Sequence, residues 1–115
     1  MLKLNNINIT DNGKKILFDY DVTTSSIKKY FNMEESYYTR YDINVSEVPK
    51  SILIIPFLSN IMPIAWFADF DVIVDELDED FYESIKLVKV EFEKQFSNYN
   101  LTGNLIVKKL VNLTI

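Results

Sequence analysis

The twenty residues 49–68, PKSILIIPFLSNIMPIAWFA, contain a single charged side chain, Lys50, and constrain the fold more than any other stretch. A segment that is apolar almost all round is either a helix buried on most of its sides or a membrane span. Its uncharged part, residues 51–68, is eighteen residues long, at the lower limit for crossing a hydrocarbon layer of ~30 Å. Ser59, Asn60 and two prolines interrupt it, and no Lys/Arg cluster flanks it to set an orientation. Burial between a sheet and a second helix is therefore the expectation. Pro49 suits the first turn, where its missing N–H costs nothing. Pro56 and Pro63 each remove an intrahelical hydrogen bond, so the helix should be kinked or broken at proline. Asn60 is expected to be buried and to pair with a backbone group freed by the break.

On either side of this helix the apolar period is two. Leu2, Leu4, Ile7 and Ile9 precede DNGK, and Ile16, Phe18, Tyr20 and Val22 follow it, which predicts a β-hairpin with Asn12-Gly13 in its turn. TTSSIKKYF offers hydroxyl caps for a short helical turn over residues 25–32. Tyr37, Thr39, Tyr41, Ile43 and Val45 alternate with polar neighbours and predict a third strand. DVIVDE reads as a short strand. Phe81, Ile85, Val88, Phe92 and Phe96 then fall on one stripe of an amphipathic helix. Residues 104–113 read as the last strand. The expected architecture is α+β: an open mixed sheet of about five strands with two main helices, in one domain spanning residues 1–115.

Composition removes whole classes of chemistry. The chain has neither cysteine nor histidine, so thiol nucleophiles, Ser-His triads, the usual zinc sites and disulfides are all excluded. A formal charge of −5 and a single arginine, Arg40, are wrong for a nucleic-acid binder, which needs clustered cations against phosphate. Gly13 and Gly103 are the only glycines, and neither stands in a phosphate-cradling motif. The alternating N-terminus MLKLNNINIT lacks the apolar core of a signal peptide, so a cytoplasmic location is expected, with no cofactor and no membrane partner.

The stretch DVIVDELDEDF places six acidic residues in eleven positions, from 71 to 81. Counted from Asp69, the run fails as a calcium loop, because Val74 stands at the sixth position, where a glycine is needed, and Ile73 at the fifth, where an oxygen ligand belongs. Asp71 and Asp75 would spread along one strand face, while Asp78, Glu79 and Asp80 suit the N-cap and first turn of the following helix. No pair of carboxylates is singled out for hydrolytic chemistry. Among the aromatics, Tyr38 beside Arg40, together with Trp66, are candidates for a protein interface.

Residues 51–85 resemble the N-terminal region of bacterial PP-loop proteins similar to 7-cyano-7-deazaguanine synthase and the muramyl-peptide glutamate epimerase group. The resemblance rests on Pro56, Leu58, Asn60, Pro63 and Ala65 in the apolar helix, and on Val74, Asp75, Glu76, Leu77 and Asp78 at the strand-to-helix turn; residues 101–112 resemble the strand that precedes the family's catalytic half. The resemblance implies a non-catalytic lead-in domain that packs on an ATP-pyrophosphatase domain, downstream or in a separate subunit. That family's S-G-G-x-D-S loop does not occur in these 115 residues, so no catalytic residue carries over. Two readings from other classes stand beside it: a free-standing acidic inhibitor or decoy, for example one encoded by a phage, that engages a basic groove, and a carboxylate enzyme using Mg²⁺. Self-association is compatible with all three.

Overall fold

The structure, a computed structural model, describes residues 1–23, 28–31 and 36–112. Five strands form one mixed sheet in the order β3-β2-β1-β4-β5. These are β1 (Leu2–Thr10), β2 (Lys15–Val22), β3 (Tyr37–Arg40), β4 (Val72–Asp78) and β5 (Leu105–Val111). Among the described residues three helices accompany them: α1 (Lys50–Leu53), α2 (Ile55–Ala68) and α3 (Glu79–Gln95). The α+β architecture expected from the alternation and the two helical segments is the one found. Among the described residues, no helix is long and apolar enough to cross a membrane.

The hairpin forms as its turn chemistry requires. β1 and β2 pair antiparallel from Leu2–Val22 to Thr10–Lys15, and the connecting loop carries positive φ at Asp11 (54°), Asn12 (57°) and Gly13 (82°). Asp, Asn and Gly are the residues that tolerate this region. At Gly13 a Cβ would also collide with the Asn44 carboxamide. Asn44 itself accepts hydrogen bonds from the Ser46 backbone N–H (2.8 Å) and hydroxyl (2.6 Å), and the Val45 N–H donates to the Gly13 carbonyl at 2.8 Å. The chain thus wraps around the hairpin tip. That wrapping ends β3 at Arg40, although the apolar alternation continues to Val45; Ile43 is left exposed. The helical turn expected over residues 25–32 falls largely outside the described residues; within them, the Phe31 N–H donates to the Lys28 carbonyl at 3.0 Å.

The apolar segment breaks in two. α1 and α2 meet at Ile54, and Pro56 occupies the first turn of α2, where it has no intrahelical bond to lose. Pro49 sits at the N-cap of α1, one residue ahead of its expected place, and Pro63 lies inside α2. One face of α2 presents Phe57, Leu58, Ile61, Met62, Ala65 and Trp66 to the sheet, and all six are buried. They pack over Leu2, Leu4, Ile16, Phe18, Val72 and Val74, which alternate inward along β1, β2 and β4. Fully burying each of these large side chains contributes roughly 1.5–3 kcal/mol. The opposite sheet face exposes Lys3, Asn8, Asp19, Asp21, Tyr38 and Lys108.

Two parallel ladders complete the sheet. β4 and β5 pair along their whole length, from Val72–Leu105 to Asp78–Val111. β1 and β4 pair only at Leu2–Val72 and Lys3–Ile73. Beyond that level β1 carries a bulge between Leu4 and Asn6, and the burial alternation of both strands slips, at Asn5-Asn6 and at Asp75-Glu76.

Candidate protein-docking interface

α2 is fourteen residues long and contains no charged side chain, so its inner and outer faces are alike in lacking charge. The expectation that it is covered on most sides is corrected here. Ser59, Asn60 and Phe67 are exposed and Pro63 and Ile64 only half-buried, because the sheet lies beneath the helix and α3 touches it only near its C-terminal end. A groove of about 330 Å³ runs along this outer face, lined by Tyr30, Pro63, Ile64, Phe67 and Ala68.

Beside the groove stands a cluster of aromatic rings. Trp66 packs against Phe92 with ring centroids 5.5 Å apart, which fixes α3 to α2. Around that joint Phe67 meets Phe96 at 5.3 Å and Tyr99 at 5.6 Å, both nearly edge-to-face, and Phe92 stacks on Phe96 at 6.0 Å. Edge-to-face and offset arrangements are the favoured ones for aromatic pairs, so the cluster is internally satisfied. It is also open to solvent: Phe67 is 42% exposed, Phe96 38% and Tyr99 63%. The groove and the ring cluster share Phe67 and form one largely apolar surface, with the Lys29 ammonium 5.3 Å from the centre of the Tyr30 ring. Such surfaces, with rigid aromatic anchors and depleted charge, are typical of interface centres.

The residues singled out from sequence fall in several places. Trp66 is 2% exposed and belongs to the core, so the expectation of a surface position for it is corrected; its neighbour Phe67 is the exposed ring. The expectation of a buried Asn60 is likewise corrected, since Asn60 is exposed and its side-chain amide donates to the Tyr37 hydroxyl at 2.6 Å, not to a freed backbone group. Tyr38 and Arg40 lie on the sheet face opposite α2, on edge strand β3. There Arg40 pairs with Asp11 at 2.7 Å and the Lys15 ammonium lies 4.5 Å above the Tyr38 ring. Pro56 and Pro63 are in α2 as described. None of these brings Tyr38 or Arg40 to the aromatic cluster.

The acidic stretch is distributed among separate local tasks. Asp69 ends α2 in the left-handed conformation (φ 58°) and accepts from the Thr102 hydroxyl at 2.6 Å. Asp71 accepts from the Asn104 N–H at 3.0 Å. Asp75 pairs with Lys108 at 3.4 Å across β4 and β5. Asp78 caps α3 by accepting from the Phe81 N–H at 3.0 Å, with Glu79 and Asp80 in the first turn. Among the described residues no three such side chains come together as metal ligands.

Phe67 was not singled out by sequence reasoning, and Phe96 was expected on the buried stripe of α3. Phe67 is hidden in a run where every neighbour is apolar, so nothing marks it as the one facing out. A signal was present, however. Ser59, Asn60, Pro63 and Phe67 recur at helical spacing, and two polar residues on that stripe show which side of α2 is open.

The chain matches no family model, and no curated protein and no solved structure is significantly similar to it.

Proposed function

We propose that this chain is a non-catalytic accessory domain that docks on a protein partner through the outer face of α2 and the Phe67–Phe96–Tyr99 cluster. The partner we propose is a PP-loop ATP-pyrophosphatase domain, carried by the same polypeptide or by a separate subunit, as the resemblance of residues 51–85 implies. The supporting observation is that α2, which carries no charged side chain, presents a half-open apolar groove continuous with exposed aromatic rings packed against one another. Rings held against one another lose little conformational freedom on binding, which favours them as anchors.

The test uses the domain and the PP-loop protein encoded alongside it, each purified, mixed and followed by size exclusion with light scattering. A stoichiometric complex that persists at high salt is expected, because apolar docking is little screened. Phe67→Glu should abolish it and Asn8→Asp, on the opposite sheet face, should leave it intact. A complex insensitive to Phe67→Glu, or no complex, overturns the reading. A complex dissolved by salt would point to the acidic decoy instead.

A further inference from the structure

We propose that the cleft opened between β1 and β4 binds a small zwitterion of amino-acid or dipeptide size. The cleft follows from the strand geometry. The two parallel strands share a ladder only at Leu2–Val72 and Lys3–Ile73, although β1 continues to Thr10 and β4 to Asp78. Past Ile73 the backbone edges that face each other are therefore unpaired with one another in the middle of a sheet. Backbone N–H and C=O groups in that position need partners. The site also lies at the C-terminal side of a parallel pair from which the chain leaves in different directions: β1 turns back into β2, and β4 leads through α3 to β5. Crevices of this kind are where open sheets with parallel strands take up ligands.

The side chains around the cleft define what it would accept. It encloses about 170 Å³ and is lined by Asn5, Asn6, Asp75, Glu76, Lys50 and Ile54, among others. Most of these polar groups are already engaged: Asn5 donates to Asp21 at 2.8 Å, Asn6 accepts from the Ile7 N–H at 2.9 Å, and Asp75 pairs with Lys108 at 3.4 Å. Among the described residues Glu76 and Lys50 make no ion pair, although both line the same cleft. One carboxylate and one ammonium lining an opening between two strand edges that are not bonded to each other match a molecule with an ammonium at one end, a carboxylate at the other and an amide between. Drug-sized ligands occupy roughly 300–1,000 Å³, so this cleft suits a smaller one. The inference is independent of the docking surface, which involves none of these residues.

The test is a titration of the full chain with alanylalanine, followed by amide chemical shifts in ¹H–¹⁵N spectra. Saturable shifts confined to residues 4–7, 50–54 and 74–77 are expected, with Lys50→Ala and Glu76→Gln each weakening binding about tenfold or more. Both side chains are exposed, and unchanged spectra elsewhere will show that the variants fold. N-acetylalanine amide, which has the amides but neither charge, should bind at least tenfold more weakly than alanylalanine. The proposal is overturned if alanylalanine produces no saturable shifts, if the shifts fall elsewhere, if the blocked analogue binds equally well, or if neither variant weakens binding.

Discussion

Gly103 has no side chain because there is no space for one. A Cβ built there would press into the backbone carbonyls of Ala65 and Phe70, at the C-terminal end of α2 and just beyond it. The loop before β5 is tied down on both sides of this glycine: the Thr102 N–H donates to the Trp66 carbonyl at 3.2 Å, and the Asn104 N–H donates to the Asp71 carboxylate at 3.0 Å. Backbone cannot yield as a flexible side chain would, so Gly103→Ala should cost about 1–3 kcal/mol, read as a lower denaturation midpoint at unchanged m-value. Tyr20 offers a pH-dependent check. Burial, and secondarily the nearby Tyr37, raise its pKa above the ordinary 10.0. The folded state then holds the phenolic proton at a pH where the unfolded chain has released it, so this contribution is fully present below pH 10.0 and is lost as pH rises through the folded value. Tyr20→Phe should accordingly flatten the decline of stability above that pH, measured by urea unfolding across an alkaline series.

For the helices, local chemistry and tertiary covering act separately. The Asp78 cap fixes where α3 begins, and Asp78→Ala should destabilise the protein by about 1 kcal/mol, visible as a shifted thermal midpoint, while Glu79→Gln should have a smaller effect. That start was legible in the sequence because capping is local: an acceptor three residues ahead of the N–H it serves. What covers the helix was not legible in the same way. Of the expected stripe Phe81, Ile85, Val88, Phe92 and Phe96, only Ile85 is fully buried, and Val88 and Phe96 are exposed. Period 3.6 identifies a face, but it does not say whether the sheet is wide enough to shelter its whole length. The same limit explains α2. Its residues were read correctly as core-forming, whereas the open outer face depends on how little of α3 crosses it. Strand β3 shows the reverse case, since its alternation runs on after the hydrogen-bonding partner has turned away.

At the scale of the whole molecule, class and element order could be read from the chain, since each period-two run bounded by turn residues became a strand. Sheet order could not. It is set by the long connection through α1 and α2 that carries the chain from β3 across to the far side of β1, and no local pattern encodes that distance. The resulting sheet has two well-stitched parts, β3-β2-β1 and β4-β5, joined by a two-position ladder and by the Leu2 N–H bonded to the Asp71 carbonyl at 2.8 Å. Mechanically this is a seam. Pulled apart or thermally agitated, the molecule should part along that line before either stitched half loses its own ladder, with the core under α2 acting as the clasp. Native-state hydrogen exchange should then show the amide of Leu2, which bonds across to the Asp71 carbonyl, opening at lower free energy than those of the β1–β2 and β4–β5 ladders. Equal protection across all three would mean that the clasp is as strong as the stitching.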